Sequence, residues 1–104
     1  MKVYISCDME GATGVVSWDQ VTKGHPEFET CRRLLLGDVN AAIEGAIAGG
    51  ASEIVVADMH DGSLILPTAE LHPEASYVVG VPHHSPRFPY LDESFGAVFL
   101  VAYH

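Results

Sequence analysis

Lys2-Val3-Tyr4-Ile5-Ser6-Cys7-Asp8-Met9-Glu10-Gly11 opens the chain as a short apolar run that ends in two carboxylates. The apolar, partly β-branched residues 2–7 predict a strand. Asp8 and Glu10 then fall in the loop beyond it. Two residues apart on extended backbone, they point to the same side. Like charges held that close repel unless something positive sits between them, and a divalent cation meets that need.

Three more runs read as strands: residues 53–57, residues 76–79 and residues 96–102. The run Ala97-Val98-Phe99-Leu100-Val101 is apolar throughout, as expected of a strand covered on both faces of a parallel sheet. Between the first two strands lies one long amphipathic stretch. Pro26 fits a first helical turn, and Glu27 and Glu29 suit the positive end of the helix dipole. Phe28, Cys31, Leu35, Val39, Ala42 and Ala46 repeat at three- and four-residue steps, and Gly49-Gly50 provides the stop. Strand, helix, strand predicts a right-handed βαβ unit. Shorter helical turns are expected at residues 67–71 and 90–94. The three prolines of residues 81–90 predict a loop.

The chain has 104 residues, and we expect a single α/β domain over residues 1–104. With 48% hydrophobic and 18% charged residues, the composition is that of a globular protein. A formal net charge of −9, with only five Lys and Arg, argues against a nucleic-acid partner. No apolar run nears the ~20 residues of a membrane span, and no signal-peptide pattern follows Met1, so a cytoplasmic protein is expected. Cys7 and Cys31 lack a C-x-x-C spacing and read as buried, reduced thiols. The apolar run before His104 ends without turn, cap or polar tail, so we expect an N-terminal fragment of a longer fold.

Open α/β sheets bind ligands beyond the carboxyl ends of their strands. By that rule Asp8 and Glu10, the Asp58-Met59-His60-Asp61-Gly62 segment, and Tyr103-His104 share one rim. Mixed imidazole and carboxylate donors suit zinc, manganese, cobalt or iron(II), and do not suit calcium. Asp8, with two oxygens at a strand end, can bridge a pair of metals. Asp58 and Asp61 fit roles behind the direct ligands or in loop turns. His25, His72, His83 and His84 are expected in surface loops, and Trp18 is expected to pack in the loop after the first strand. Gly11 and Gly14 permit tight loop geometry, but no Lys follows them as in a phosphate cradle.

Ser6-x-Asp8-x-Glu10-Gly11, Asp58-x-His60, Leu71-His72-Pro73-Glu74-Ala75 and Tyr103-His104 together resemble the M55 family of zinc D-aminopeptidases. The resemblance implies a three-layer α/β/α fold with a mostly parallel sheet and a two-zinc site. It implies that Asp8 bridges the two zinc ions and that Glu10, His60 and His104 are ligands. A further glutamate ligand and a catalytic histidine fall beyond residue 104 by this resemblance and match no residue here. It also implies a self-compartmentalising homodecamer that releases N-terminal D-amino acids from short peptides. Two alternatives stand beside it. Asp8-x-Glu10-Gly11 with Thr13 is faintly similar to the haloacid dehalogenase phosphatase motif, although that motif carries Asp where Glu10 stands. The other is a metal-binding or assembly module without turnover.

Overall fold

The computed structural model describes residues 1–82 and 84–104, so the expectation for His83 falls outside the described residues. Four strands and one long helix organise the chain: β1 Lys2–Cys7, α1 Phe28–Ala48, β2 Glu53–Asp58, β3 Ser76–Val78 and β4 Ala97–Val101. Short 3-10 turns occur at Trp18–Val21 and Thr68–Glu70. The sheet order is β3-β2-β1-β4, and every pairing is parallel. The α/β class and the parallel sheet agree with the pattern of apolar runs.

β1 is central and buried along almost its whole length, which explains its unbroken apolar sequence. Val3, Ile5 and Cys7 join a core with Cys31, Leu35, Val39, Ile43 and Ala46 of α1 and with Ile54 and Val56 of β2. Fully buried side chains such as Leu35 and Ile43 each contribute about 1.5–3 kcal/mol of burial free energy. On the other face Tyr4 packs edge-on against Phe88 and Phe95, and its hydroxyl donates to the Pro89 carbonyl at 2.9 Å. That face leaves Val98 and Leu100 of β4 exposed. Both cysteines are free and buried. Burial, and then the neighbouring Asp58 charge, pushes the Cys7 thiol far up, so it is an unreactive core group.

Several boundaries differ from expectation for physical reasons. The helix begins at Phe28, and Pro26 lies in the turn before it, where the Phe28 amide donates to the His25 carbonyl at 3.1 Å. It stops as read: Gly50 takes a φ of 95°, its amide bonds Ile47, and the Ala51 amide bonds Ala46, a Schellman closure. Residues 90–94 form turns and not a helix, since Tyr90 sits at a φ of 64°. β2 runs one residue further than expected, to Asp58, while β3 stops at Val78. β4 excludes Gly96 and Ala102, and Ala102 turns out of the strand with a φ of 59°. Trp18 is not packed in a loop; it lies on the 3-10 turn and is 70% exposed. Among the described residues no helix is long and apolar enough to cross a membrane.

Candidate metal centre

From β1 the chain steps outward through β2 to β3, then returns to place β4 on the other side of β1. The strand order therefore reverses beside β1, and the crevice beyond its carboxyl end is where a ligand fits. Backbone bonds pull the three strand exits together there. The Asp8 amide donates to the Val101 carbonyl at 3.0 Å, Gly11 to Ala102 at 2.9 Å, and Met59 to Cys7 at 2.9 Å. Gly11 is required at this contact, because a Cβ would overlap the Tyr103 carbonyl oxygen. The Ser6 hydroxyl, fully buried, meets the Tyr103 hydroxyl at 2.6 Å and ties the end of β4 to β1. The left-handed Ala102 then swings His104 back over the rim, at the modest strain of an αL alanine.

Met9 is fully buried in the core, so Asp8 and Glu10 on either side of it turn to the rim. Each carboxylate presents one oxygen to each of two imidazoles. His60 Nδ1 is 3.0 Å from Asp8 Oδ1 and 3.3 Å from Glu10 Oε1. His104 Nε2 is 3.5 Å from Asp8 Oδ2 and 3.4 Å from Glu10 Oε2. Ligand atoms of Asp8, Glu10 and His104 all lie within 4.8 Å of one another. The four residues singled out in the sequence thus converge.

The electrostatics of this group are unfinished without a cation. Burial raises the Asp8 carboxyl, but hydrogen bonding with His60, Glu10 and the Met9 amide outweighs it and leaves it below the usual range. His60 is raised, chiefly by its bond to Asp8 against the opposing effect of burial. Glu10 Oε2 is buried and has no hydrogen-bond partner among the described residues; His104 lies near it without hydrogen-bond geometry. A buried carboxylate oxygen without a donor is costly. A divalent cation between these donors removes the cost, and two carboxylates with two imidazoles are a donor set that zinc accepts. The residues present fit the metal.

Asp58 lies behind this site. It is fully buried, and its Oδ2 accepts the amides of Ile65 at 2.6 Å and Leu66 at 2.9 Å. Burial raises its carboxyl despite these bonds and that from the His60 amide. Its carboxylate closes the loop that leaves β2, while Asp61 is exposed. His25, His72 and His84 lie in loops or turns, as expected. The polar contacts of His72 run to Glu44, Glu74 and Tyr77, so the Leu71-to-Ala75 block braces the approach to β3. Sequence reasoning passed over Gln20 and Val21. The Val21 carbonyl meets His60 Nε2 at 3.3 Å, and Gln20 holds the turn that carries it. Ser17-x-x-Gln20, a capping-box spacing, was the available signal.

Beside Glu10 and His104 opens a cavity of about 240 Å³, also lined by Val15, Val16, Ser17 and Trp18. One wall is apolar and the other carries charge, as in small-molecule sites.

The family profile for Peptidase M55, D-aminopeptidase, matches residues 1–104. A D-aminopeptidase of Bacillus subtilis (strain 168) is 32% identical over 104 residues, covering 100% of this chain and 38% of that protein. A solved structure, the Zn-dependent D-aminopeptidase DppA from Bacillus subtilis, described as a self-compartmentalizing protease, superposes with a TM-score of 0.95 at 32% identity. The match covers 100% of this chain and 38% of that one, so the chain spans well under half the length of these relatives. A profile match over every residue and a superposition of the whole sheet point to one ancestry: the chain belongs to the M55 family of D-aminopeptidases.

Proposed function

We propose that this chain carries the metal-holding part of a zinc-dependent aminopeptidase. In that reading the protein releases N-terminal D-amino acids from short peptides by metal-assisted amide hydrolysis. The observation that carries it is the carboxylate pair seated between two imidazoles at the switch point of the sheet. Asp8, Glu10, His60 and His104 hold two zinc ions, with Asp8 shared between them. Bound zinc supplies Lewis acidity toward a scissile carbonyl and lowers the pKa of water.

The chain's own residues do the rest of the work assigned to this part. Asp8 and Glu10 place negative charge at the rim, which offsets part of the positive charge of the bound cations. His60 and His104 fix the two ends of the carboxylate pair. Val15, Val16 and Trp18 offer an apolar wall beside Glu10 and His104, which suits a small side chain next to the charged rim. The further glutamate ligand and the catalytic histidine that the family resemblance implies match no residue of this chain. Assembly into a self-compartmentalising homodecamer in the cytoplasm completes the reading. Self-compartmentalising assembly is supported by the relative described as a self-compartmentalizing protease. Membership of the M55 family replaces the phosphatase alternative.

The test is hydrolysis by the full-length protein loaded with zinc and offered D-alanyl and L-alanyl amides. Release of alanine from the D-amide, lost on chelation, is the expected result. Bound zinc without turnover of either amide overturns the enzymatic reading and leaves a metal-binding module.

A further inference from the structure

The 3-10 turn Trp18–Val21 touches both imidazoles while supplying no ligand to either. At its end, the Val21 carbonyl oxygen lies 3.3 Å from His60 Nε2. A carbonyl oxygen only accepts, so Nε2 carries the hydrogen. Nδ1 of the same ring faces Asp8 and Glu10, at 3.0 and 3.3 Å. At its start, Trp18 sets its indole edge-on to the His104 ring, with centroids 6.3 Å apart and planes at 82°.

The turn is itself held from within. Gln20, 9% exposed, accepts the Val16 amide at 2.6 Å and the Ser17 amide at 2.9 Å on Oε1, and donates from Nε2 to the Gly14 carbonyl at 3.2 Å. The Thr22 hydroxyl closes it by donating to the Trp18 carbonyl at 2.7 Å. One buried amide side chain therefore spans the loop that leaves β1 and fixes where Val21 and Trp18 lie.

We propose that the Trp18–Val21 turn, locked by Gln20, is the positioning element of the metal centre: its Val21 carbonyl holds the His60 ring at Nε2 with Nδ1 toward the carboxylates, and its Trp18 ring steadies His104. Gln20 and Val21 are positioning residues. They act through the imidazoles and touch no reacting group. Partners of this kind commonly change metal affinity ~10–100-fold when removed.

The inference rests on the zinc reading for its affinity arm, but its ring-position arm is read on the metal-free protein. Nuclear Overhauser contacts between the His60 ring and Val21 in the full-length, metal-free protein report whether the ring is held against the turn. The wild type is expected to show them. Gln20→Ala is expected to lose them and to weaken zinc about tenfold or more. Gln20→Glu, which keeps the acceptor for the Val16 and Ser17 amides, is expected to restore them. Gln20→Ala with the contacts kept and unchanged zinc affinity overturns the proposal. If Gln20→Ala fails to fold, the exposed Trp18→Ala carries the test. Weaker zinc with shifted His104 ring signals supports the proposal, and unchanged affinity with unchanged signals overturns it. A wild type that binds no zinc sinks the functional reading, while the ring-contact result still decides the role of the turn.

Discussion

His60 and His104 flank the same carboxylate pair, yet they are held very differently. His60 is 8% exposed, with both ring nitrogens engaged, one by Asp8 and one by the Val21 carbonyl. The loop behind it is pinned by Asp58 through two backbone amides. The His104 side chain is 51% exposed, reaches the carboxylates at 3.4 and 3.5 Å, and leans on one exposed indole. Folding builds one half of the site before any cation arrives. The other half stands open beside the cavity. A rigid seat next to an accessible one is what a cofactor-holding rim needs if substrate is to approach from one side.

The strongest way to break this comparison is to remove what the halves share. Asp8→Ala should abolish binding of both cations, whereas His60→Ala should weaken one more than the other. Metal counting on purified variants decides it, and equal retention in the two contradicts a bridging Asp8. The same loss should appear as stability: at a thousandfold excess over its dissociation constant, a bound cation contributes about 4 kcal/mol, so chelation should lower the unfolding midpoint of wild type and leave Asp8→Ala unmoved. Next comes Asp58→Ala. It strips an acceptor from two buried amides and should cost about 2–4 kcal/mol in denaturant unfolding, with Asp58→Asn costing less.

The two imidazoles themselves should then separate. In the metal-free protein His60→Ala should cost about 1–3 kcal/mol, because it leaves Asp8 and the Val21 carbonyl without their donor. His104→Ala should fall within about 0.5 kcal/mol, as exposed positions do. Equal losses in urea unfolding would erase the asymmetry. The smallest effect expected is from Ala102→Gly. Relief of a left-handed alanine should stabilise by up to about 1 kcal/mol while loosening His104 and weakening cation binding. Calorimetry with and without zinc reads both signs.

The sheet was legible because its strands are continuous apolar runs, and β1 carried its boundaries in its composition. The rim followed from a general rule about strand ends, so Asp8, Glu10, His60 and His104 could be brought together before any distance was known. What escaped had specific causes. Asp58 extends β2 because a buried carboxylate is tolerated where two amides meet it, and those amides belong to a loop that pattern reading cannot place. Tyr90 and Ala102 take positive φ angles that side-chain type does not announce. Trp18 was expected to pack in the loop after the first strand and instead stands in the open, edge-on to a histidine far along the chain. Gln20 was overlooked because a buried amide gives no periodic signal, although its spacing from Ser17 was visible.

Gly11 has a consequence for how such a protein can change over time. Any side chain there would displace the Tyr103 backbone, and with it the reach of His104 to the carboxylate pair. Residue 11 and residues 102–104 are thus inherited as one gauge, though they lie at opposite ends of the described chain. Drift at either place is exposed to selection at the other. A lineage that abandoned the glycine would have to seat His104 by another route.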